Sequence, residues 1–318
     1  MKHLVYVACA AALLLAGCGG GNSNNSTVPP QQQAATWYVT AGAAADSQAV
    51  QALQYYPSSI TIDAGDSITW VYPAGEPHTV TFLGPKTAPP PPNDPSVPAP
   101  AGGSSYDGST YTSSGFILGG GSYTLTFPKA GTYTYYCLIH GEMVGTVVVQ
   151  DKGKPYPQSA GDIAKVTGPL IASDIAAGEN AVSKFPYTSG GTHLAAGISQ
   201  NLGAMPFTNS SVVRFLDGDQ LSDTSVTIAA GTTLTWTNLD ANLPHTVTFG
   251  PAGQPFPEMP PFSPPSGGTT YDGTTLVNSG PLFGGQSFSL KFTTPGTYTY
   301  HCLFHDETEG MIGTVVVQ

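Results

Sequence analysis

The chain matches itself when displaced by about 165 residues, and no other feature limits its fold so tightly. Asp63-Ala64-Gly65-Asp66-Ser67-Ile68-Thr69-Trp70 answers Ala229-Ala230-Gly231-Thr232-Thr233-Leu234-Thr235-Trp236, and Pro77-His78-Thr79-Val80-Thr81-Phe82 answers Pro244-His245-Thr246-Val247-Thr248-Phe249. Gly131-Thr132-Tyr133-Thr134-Tyr135-Tyr136-Cys137-Leu138 answers Gly296-Thr297-Tyr298-Thr299-Tyr300-His301-Cys302-Leu303, and both copies finish on Gly-Thr-Val-Val-Val-Gln. The unit is a duplicated domain, expected over residues 36–150 and 190–318. Residues 151–189 lack the repeat and read as a linker with a short helix near 173–181.

Each copy carries short runs in which apolar and polar residues alternate, at 59–62, 67–72, 78–83, 122–127, 132–137 and 145–149 in the first. That period belongs to half-buried strands. Gly (39) and Pro (29) are abundant and only 9% of residues are charged, which argues against long helices and coiled coils and for an all-β sandwich or barrel. Trp70 and Trp236 are expected in the cores, and the Pro-rich stretches 85–101 and 251–265 as long surface loops. A net charge of -11 argues against general nucleic-acid binding, which needs a basic face.

The first residues, MKHLVYVACAAALLLAGC, place Lys2 before an apolar run that ends on small residues. Residues 1–17 therefore read as an export signal, with a run too short to span a bilayer comfortably. Leu15-Ala16-Gly17-Cys18 resembles the bacterial lipobox, which implies lipid on Cys18, a flexible tether over 18–35, and a chain anchored to the membrane facing the periplasm or the cell exterior.

The chemistry concentrates where the copies agree. Cys137 is followed by His140 and Met143, Cys302 by His305 and then Met311, and each set is preceded by a further histidine, His78 or His245. A disulfide between Cys137 and Cys302 is the plain alternative in an oxidising compartment. Each cysteine, however, ends a strand of its own core. One thiolate, two imidazoles and a weak axial thioether describe a blue, type 1 copper site, in which soft sulfur favours Cu(I) and imidazole suits both oxidation states. Zinc also accepts two His and a Cys, but gains little from a thioether.

These residues resemble the cupredoxin family of plastocyanin- and amicyanin-like proteins. The resemblance implies two tandem Greek-key β-sandwiches, two type 1 copper ions, and an electron carrier that meets redox partner proteins through the His140 and His305 surfaces, collared by Leu138, Ile139, Leu303 and Phe304. The ligands it implies are His78, Cys137, His140 and Met143, then His245, Cys302, His305 and Met311. Met311 departs from the pattern: five residues separate it from His305, and Asp306, Glu307 or Glu309 is an alternative axial donor. Those carboxylates also predict a lower reduction potential for the second site. A two-domain copper oxidoreductase, similar to nitrite reductase or laccase, and a copper-delivery protein are the competing readings. The first needs more histidine than His193 and His301, which remain once the two sites are filled.

Overall fold

The computed structural model describes residues 33–318 apart from 74, 87, 93, 204–206 and 222–223. The export signal 1–17, Cys18 and most of the tether 18–35 lie outside the described residues.

The first repeat supplies β1 (Thr36–Ala44), β2 (Val50–Tyr56), β3 (Ser59–Asp63), β4 (Ser67–Val71), β5 (Thr81–Phe82), β6 (Thr112–Ser113), β7 (Ser122–Thr126), β8 (Gly131–Tyr136) and β9 (Val144–Gln150). A helix, α1 (Ala160–Val182), leads to the second repeat. This contains β10 (His193–Ser199), β11 (Ser210–Leu216), β12 (Thr224–Ile228), β13 (Thr233–Leu239), β14 (Thr248–Phe249), β15 (Thr270–Tyr271), β16 (Val277–Asn278), β17 (Ser287–Phe292), β18 (Gly296–His301) and β19 (Ile312–Val317).

Alternation explains the strands. In β4 the buried Ile68 and Trp70 face the core, while Ser67 and Thr69 face outward and share hydroxyl hydrogen bonds with Thr126 (2.8 Å) and Thr124 (2.9 Å) of β7. β13 repeats the device, pairing Thr235 with Ser289 and Thr237 with Ser287 at 2.8 Å. Each core is aromatic. Trp70 packs on Phe82 and Tyr135, Trp236 on Phe249 and Tyr300, with ring centroids 5.3–6.0 Å apart. Burying one such ring stabilises the fold by about 1.5–3 kcal/mol. The expected strand 78–83 shrinks to β5, because Pro77 offers no N–H to a ladder and His78 makes only an isolated bridge to Ile117.

The two repeats build two β-sandwiches of like topology. One sheet of each is its own, ordered β3-β9-β8-β5-β6 in the first domain and β12-β19-β18-β14-β16 in the second. The other is shared. β2 pairs antiparallel with β11 through Ser210↔Ala52, Ser211↔Gln51 and Val212↔Val50, fusing both domains into the nine-stranded order β15-β17-β13-β10-β11-β2-β1-β4-β7. The linker therefore does not set the domains apart.

Instead α1 packs along that seam, contacting β2, β11 and β10. It is 23 residues long rather than a short helix near 173–181. Ser159 starts it with a capping box: its hydroxyl accepts from the Asp162 N–H (3.2 Å), and the Asp162 carboxylate accepts from the Ser159 N–H (3.2 Å). Small buried Gly178 and Ala181 let it lie close to the sheet, where a Cβ at Gly178 would collide with Val50. Val182 joins Val50, Val212, Ala195 and Leu239 in a cluster spanning both domains, and Tyr56 donates to Asp174 at 2.5 Å.

Candidate metal centres

Each centre gathers side chains from three places in its domain. His78 precedes β5 and is pinned by reciprocal backbone bonds with Ile117 (3.1 and 3.0 Å); His245 is held likewise by Leu282 (3.0 and 2.7 Å). Cys137 follows β8 and Cys302 follows β18, and each sulfur accepts the N–H of the residue after the histidine, Thr79 (3.5 Å) or Thr246 (3.4 Å). Those threonines also tie down the loop, for the Thr79 and Thr246 hydroxyls accept from the Leu138 and Leu303 N–H groups at 2.8 Å.

The loop closes on itself around the next histidine and methionine. Met143 N–H donates to His140 C=O and Cys137 N–H to Met143 C=O, both at 2.9 Å. In the second domain the same two bonds run from Met311 to His305 (2.9 Å) and from Cys302 to Met311 (3.1 Å). The three extra residues leave Met311 at the position corresponding to Met143. Both methionines are buried in the core cluster that holds their cysteine.

The donor atoms converge. In the first domain, His78 Nδ1 and His140 Nδ1 are 3.0 Å apart and lie 3.9 and 3.6 Å from Cys137 Sγ. In the second, His245 Nδ1 and His305 Nδ1 are 3.1 Å apart and lie 3.7 and 3.3 Å from Cys302 Sγ. Metal–nitrogen and metal–sulfur bonds of about 2.0–2.3 Å set donors on one ion about 3.5 Å apart, so both triads fit a single ion each. Among the described residues these are the two groups with such convergence, and both cysteines are buried and free of disulfides.

Space for the first histidine comes from a glycine bulge. The register of β1 slips between Ala41 and Ala43, at Gly42 with φ +68°; β10 slips between Ala196 and Ile198, at Gly197 with φ +78°. A Cβ on Gly42 would lie 2.8 Å from His78 Cδ2 and 2.9 Å from Cε1, and one on Gly197 would strike His245 in the same way. Side chains other than glycine's are excluded there by sterics and backbone conformation alike.

Electrostatics favour thiolates. Burial pushes the Cys302 thiol up, but the charge of His305 and hydrogen bonds from His245 and His305 outweigh it and bring it down to about 5. Burial likewise opposes ionisation of Cys137, yet His140 and His78 hold its thiol well below the usual range. In return, and against its own desolvation, His140 is pushed up to about 10 by Cys137 and Glu76.

The outward imidazole nitrogens, expected near the surface, are not there. His140 and His305 are each only 4% exposed. The fused sheet turns the two loop ends toward one another, and both Nε2 atoms face Glu76: Oε2 lies 3.6 Å from His140 and Oε1 3.0 Å from His305. Burial alone would raise the Glu76 carboxyl, but these imidazoles hold it below the usual carboxylate range. A cleft of about 840 Å³ reaches this region, lined by both histidines and by Phe116, Ile139, Phe283 and Phe304. Of the expected collar, Ile139 and Phe304 line the cleft, whereas Leu138 and Leu303 are buried.

Sequence reasoning missed the carboxylates that matter. Asp240, fully buried, sits 3.5 Å from His245 Nε2 and is steadied by Ser211 and the Asn242 N–H at 2.8 Å. The acids of the longer loop do not join the donor set. Asp306 lies 3.0 Å from His301 Nδ1, Glu307 is exposed, and Glu309 is buried, its carboxyl pushed up to about 7 chiefly by desolvation and then by Glu76. His301 stacks on Phe256 at 3.9 Å and His193 is exposed beside Tyr187, so neither joins a triad. The signal for Glu76 was present: beside a repeated Pro-His, the copies part company as Glu76 against Leu243.

A sequence profile of the copper-binding proteins of the plastocyanin/azurin family matches residues 42–150 and 219–318. The chain belongs to that family. Among its relatives, the plastocyanin of Scenedesmus fuscus is 37% identical over 114 residues, 35% of this chain and 99% of that protein. The chloroplastic plastocyanin of Tetradesmus obliquus is 37% identical over 31% of this chain and 60% of its own length. Amicyanin-alpha of Methylorubrum extorquens is 35% identical over 27% of this chain and 57% of its own length. A solved Cu(I) structure of an amicyanin variant aligns with 36% of the chain and 82% of its own at 23% identity and a TM-score of 0.25. The protein is thus a tandem cupredoxin whose two His-Cys-His groups fit two type 1 copper sites.

Proposed function

We propose that the protein is an exported, membrane-tethered electron carrier whose two type 1 copper ions are held by His78, Cys137, His140 and Met143 and by His245, Cys302, His305 and Met311. The doubled convergence of two Nδ1 atoms and one thiolate, within 3.0–3.9 Å of each other and walled off by core, carries this reading. Copper supplies a one-electron Cu(II)/Cu(I) couple in such a donor set. The residues do the rest. Thr79 and Thr246 fix the sulfurs with their N–H groups, the glycine bulges admit the first histidines, and the aromatic cores exclude water. A donor set immobilised by packing changes little between oxidation states, which keeps reorganisation small. The cleft beside His140 and His305 is the route by which a redox partner approaches.

Catalytic copper needs an open position and further histidines. His301 stacks on Phe256 and pairs with Asp306, and His193 is exposed and outside both triads, which supports a carrier over a nitrite reductase-like or laccase-like enzyme. Nitrite and phenol assays on the copper-loaded chain should give no turnover above free-copper background. Turnover that is lost in His301→Ala would favour the enzyme. Attachment through lipid on Cys18 is tested by fractionation: Cys18→Ser should move the protein from the membrane to the soluble fraction, and an unchanged membrane fraction would refute the anchor.

A further inference from the structure

We infer that Glu76 is a positioning residue shared by both metal centres, a single buried carboxylate that steadies His140 of its own domain and His305 of the other. This rests on the copper reading above and adds a link between the sites.

Three observations carry it. First, the contacts go to the Nε2 atoms, at 3.6 and 3.0 Å, on the ring edges opposite the Nδ1 atoms that converge with sulfur. A carboxylate beside the outer nitrogen of a ligand imidazole biases its tautomer and raises its basicity, here through charge at close range, since among the described residues neither Glu76 Oε1 nor His140 Nε2 has a hydrogen-bond partner. Second, Glu76 is only 3% exposed, and the ion-pair contacts found for it are these two imidazoles. A buried charge persists only when compensated, and here the compensation comes from both domains at once. Third, the copies differ at this place. Leu243 stands in the second domain where Glu76 stands in the first, so one side chain serves two sites instead of each site having its own. Glu76 contacts both imidazoles, and its negative charge favours the more positive oxidation state on both sides; the neighbouring Glu309 is pushed toward its neutral form by burial and by Glu76.

The test uses the full chain with Cys302→Ser, which keeps only the first centre, or Cys137→Ser, which keeps only the second. Each is combined with Glu76→Gln, Glu76→Asp or, as a control, Glu142→Gln, an exposed acid in the first ligand loop. Redox titration of the thiolate–copper band should show that Glu76→Gln raises both potentials. The Cu(II)-over-Cu(I) preference should fall about 10-fold at the second centre, equivalent to about 59 mV, and less at the first, where the contact is longer. Glu76→Asp, which retains the charge, should recover part of the shift, and Glu142→Gln should stay within about 2-fold. A shift confined to the first centre, none at either, or equal shifts for Gln and Asp would overturn the inference.

If Glu76→Gln binds no copper, imidazole nitrogen resonances of the copper-free chain decide. The substitution should move the Nε2 signals of both His140 and His305, and movement of one ring alone refutes the shared role. Failure of the copper reading itself looks different, since the unsubstituted chain would then lack any thiolate–copper band.

Discussion

Replacing Gly42 with alanine should empty the first copper site and leave the second intact. The added methyl would sit 2.8 Å from Cδ2 and 2.9 Å from Cε1 of His78. Its closest approach is to His78 Nε2, far inside ordinary contacts of about 3.5–4.0 Å, so the ring must retreat by more than about 1 Å. Ligand distances tolerate only about 0.2 Å, and a misplaced imidazole should lower copper affinity there about 100-fold or more. Alanine at φ +68° adds about 1–2 kcal/mol of backbone strain that has nothing to do with the metal. Gly65→Ala separates the two effects, because Gly65 has φ +100° and an added methyl there would meet nothing within 4 Å. At limiting copper, metal analysis and the visible thiolate band should report one copper and about half the colour for Gly42→Ala, and two coppers with full colour for Gly65→Ala. Gly197→Ala should mirror the loss in the second domain. Two tightly bound coppers in Gly42→Ala, or equal losses in Gly42→Ala and Gly65→Ala, would refute the steric reasoning.

Other outcomes follow from the same geometry. Asp240→Asn removes the carboxylate behind His245 and should raise the second site's potential by about 59 mV, a 10-fold change in Cu(II) preference; redox titration in the Cys137→Ser background checks it, and no shift counts against it. In copper-free Cys137→Ser protein the thiolate absorbance of Cys302 should persist as pH falls and disappear only through about 5, because the folded state depresses this thiol; a midpoint near 9 would contradict the assignment. The linked stability is then present above the thiol's unfolded value near 9 and is lost as pH falls toward 5. Ser159→Ala should destabilise the chain by about 1 kcal/mol by opening the capping box, read as a lower midpoint in urea, and an unchanged midpoint would show that packing alone holds α1.

The donors were legible because each lies in a short segment whose context recurs: Pro-His-Thr-Val-Thr-Phe before β5 and β14, and the cysteine directly after an alternating Tyr/Thr strand. The sandwich was legible for the same reason, through Ile68/Trp70 and Leu234/Trp236. What escaped depends on one domain meeting the other. β2, β10 and β11 are buried on both faces, so they lack the alternation that marks a half-buried strand, and β1 loses it after Ala41. Of the helix only 173–181 was legible, because Gly161, Gly168 and Pro169 weaken the local propensity of its first half, which is specified instead by its cap and by the seam it covers. Burial of His140 and His305 could not be read from either repeat alone, since it arises from the β2–β11 pairing that turns the two loops together.

Electron paramagnetic resonance with copper counting on purified protein lacking residues 1–18 tests the central claim most directly. Two His-Cys-His groups predict two copper ions per chain, both with type 1 spectra, with one signal lost in Cys137→Ser and the other in Cys302→Ser. One copper per chain, a type 2 signal that survives removal of adventitious metal, or full colour in either cysteine variant would contradict it.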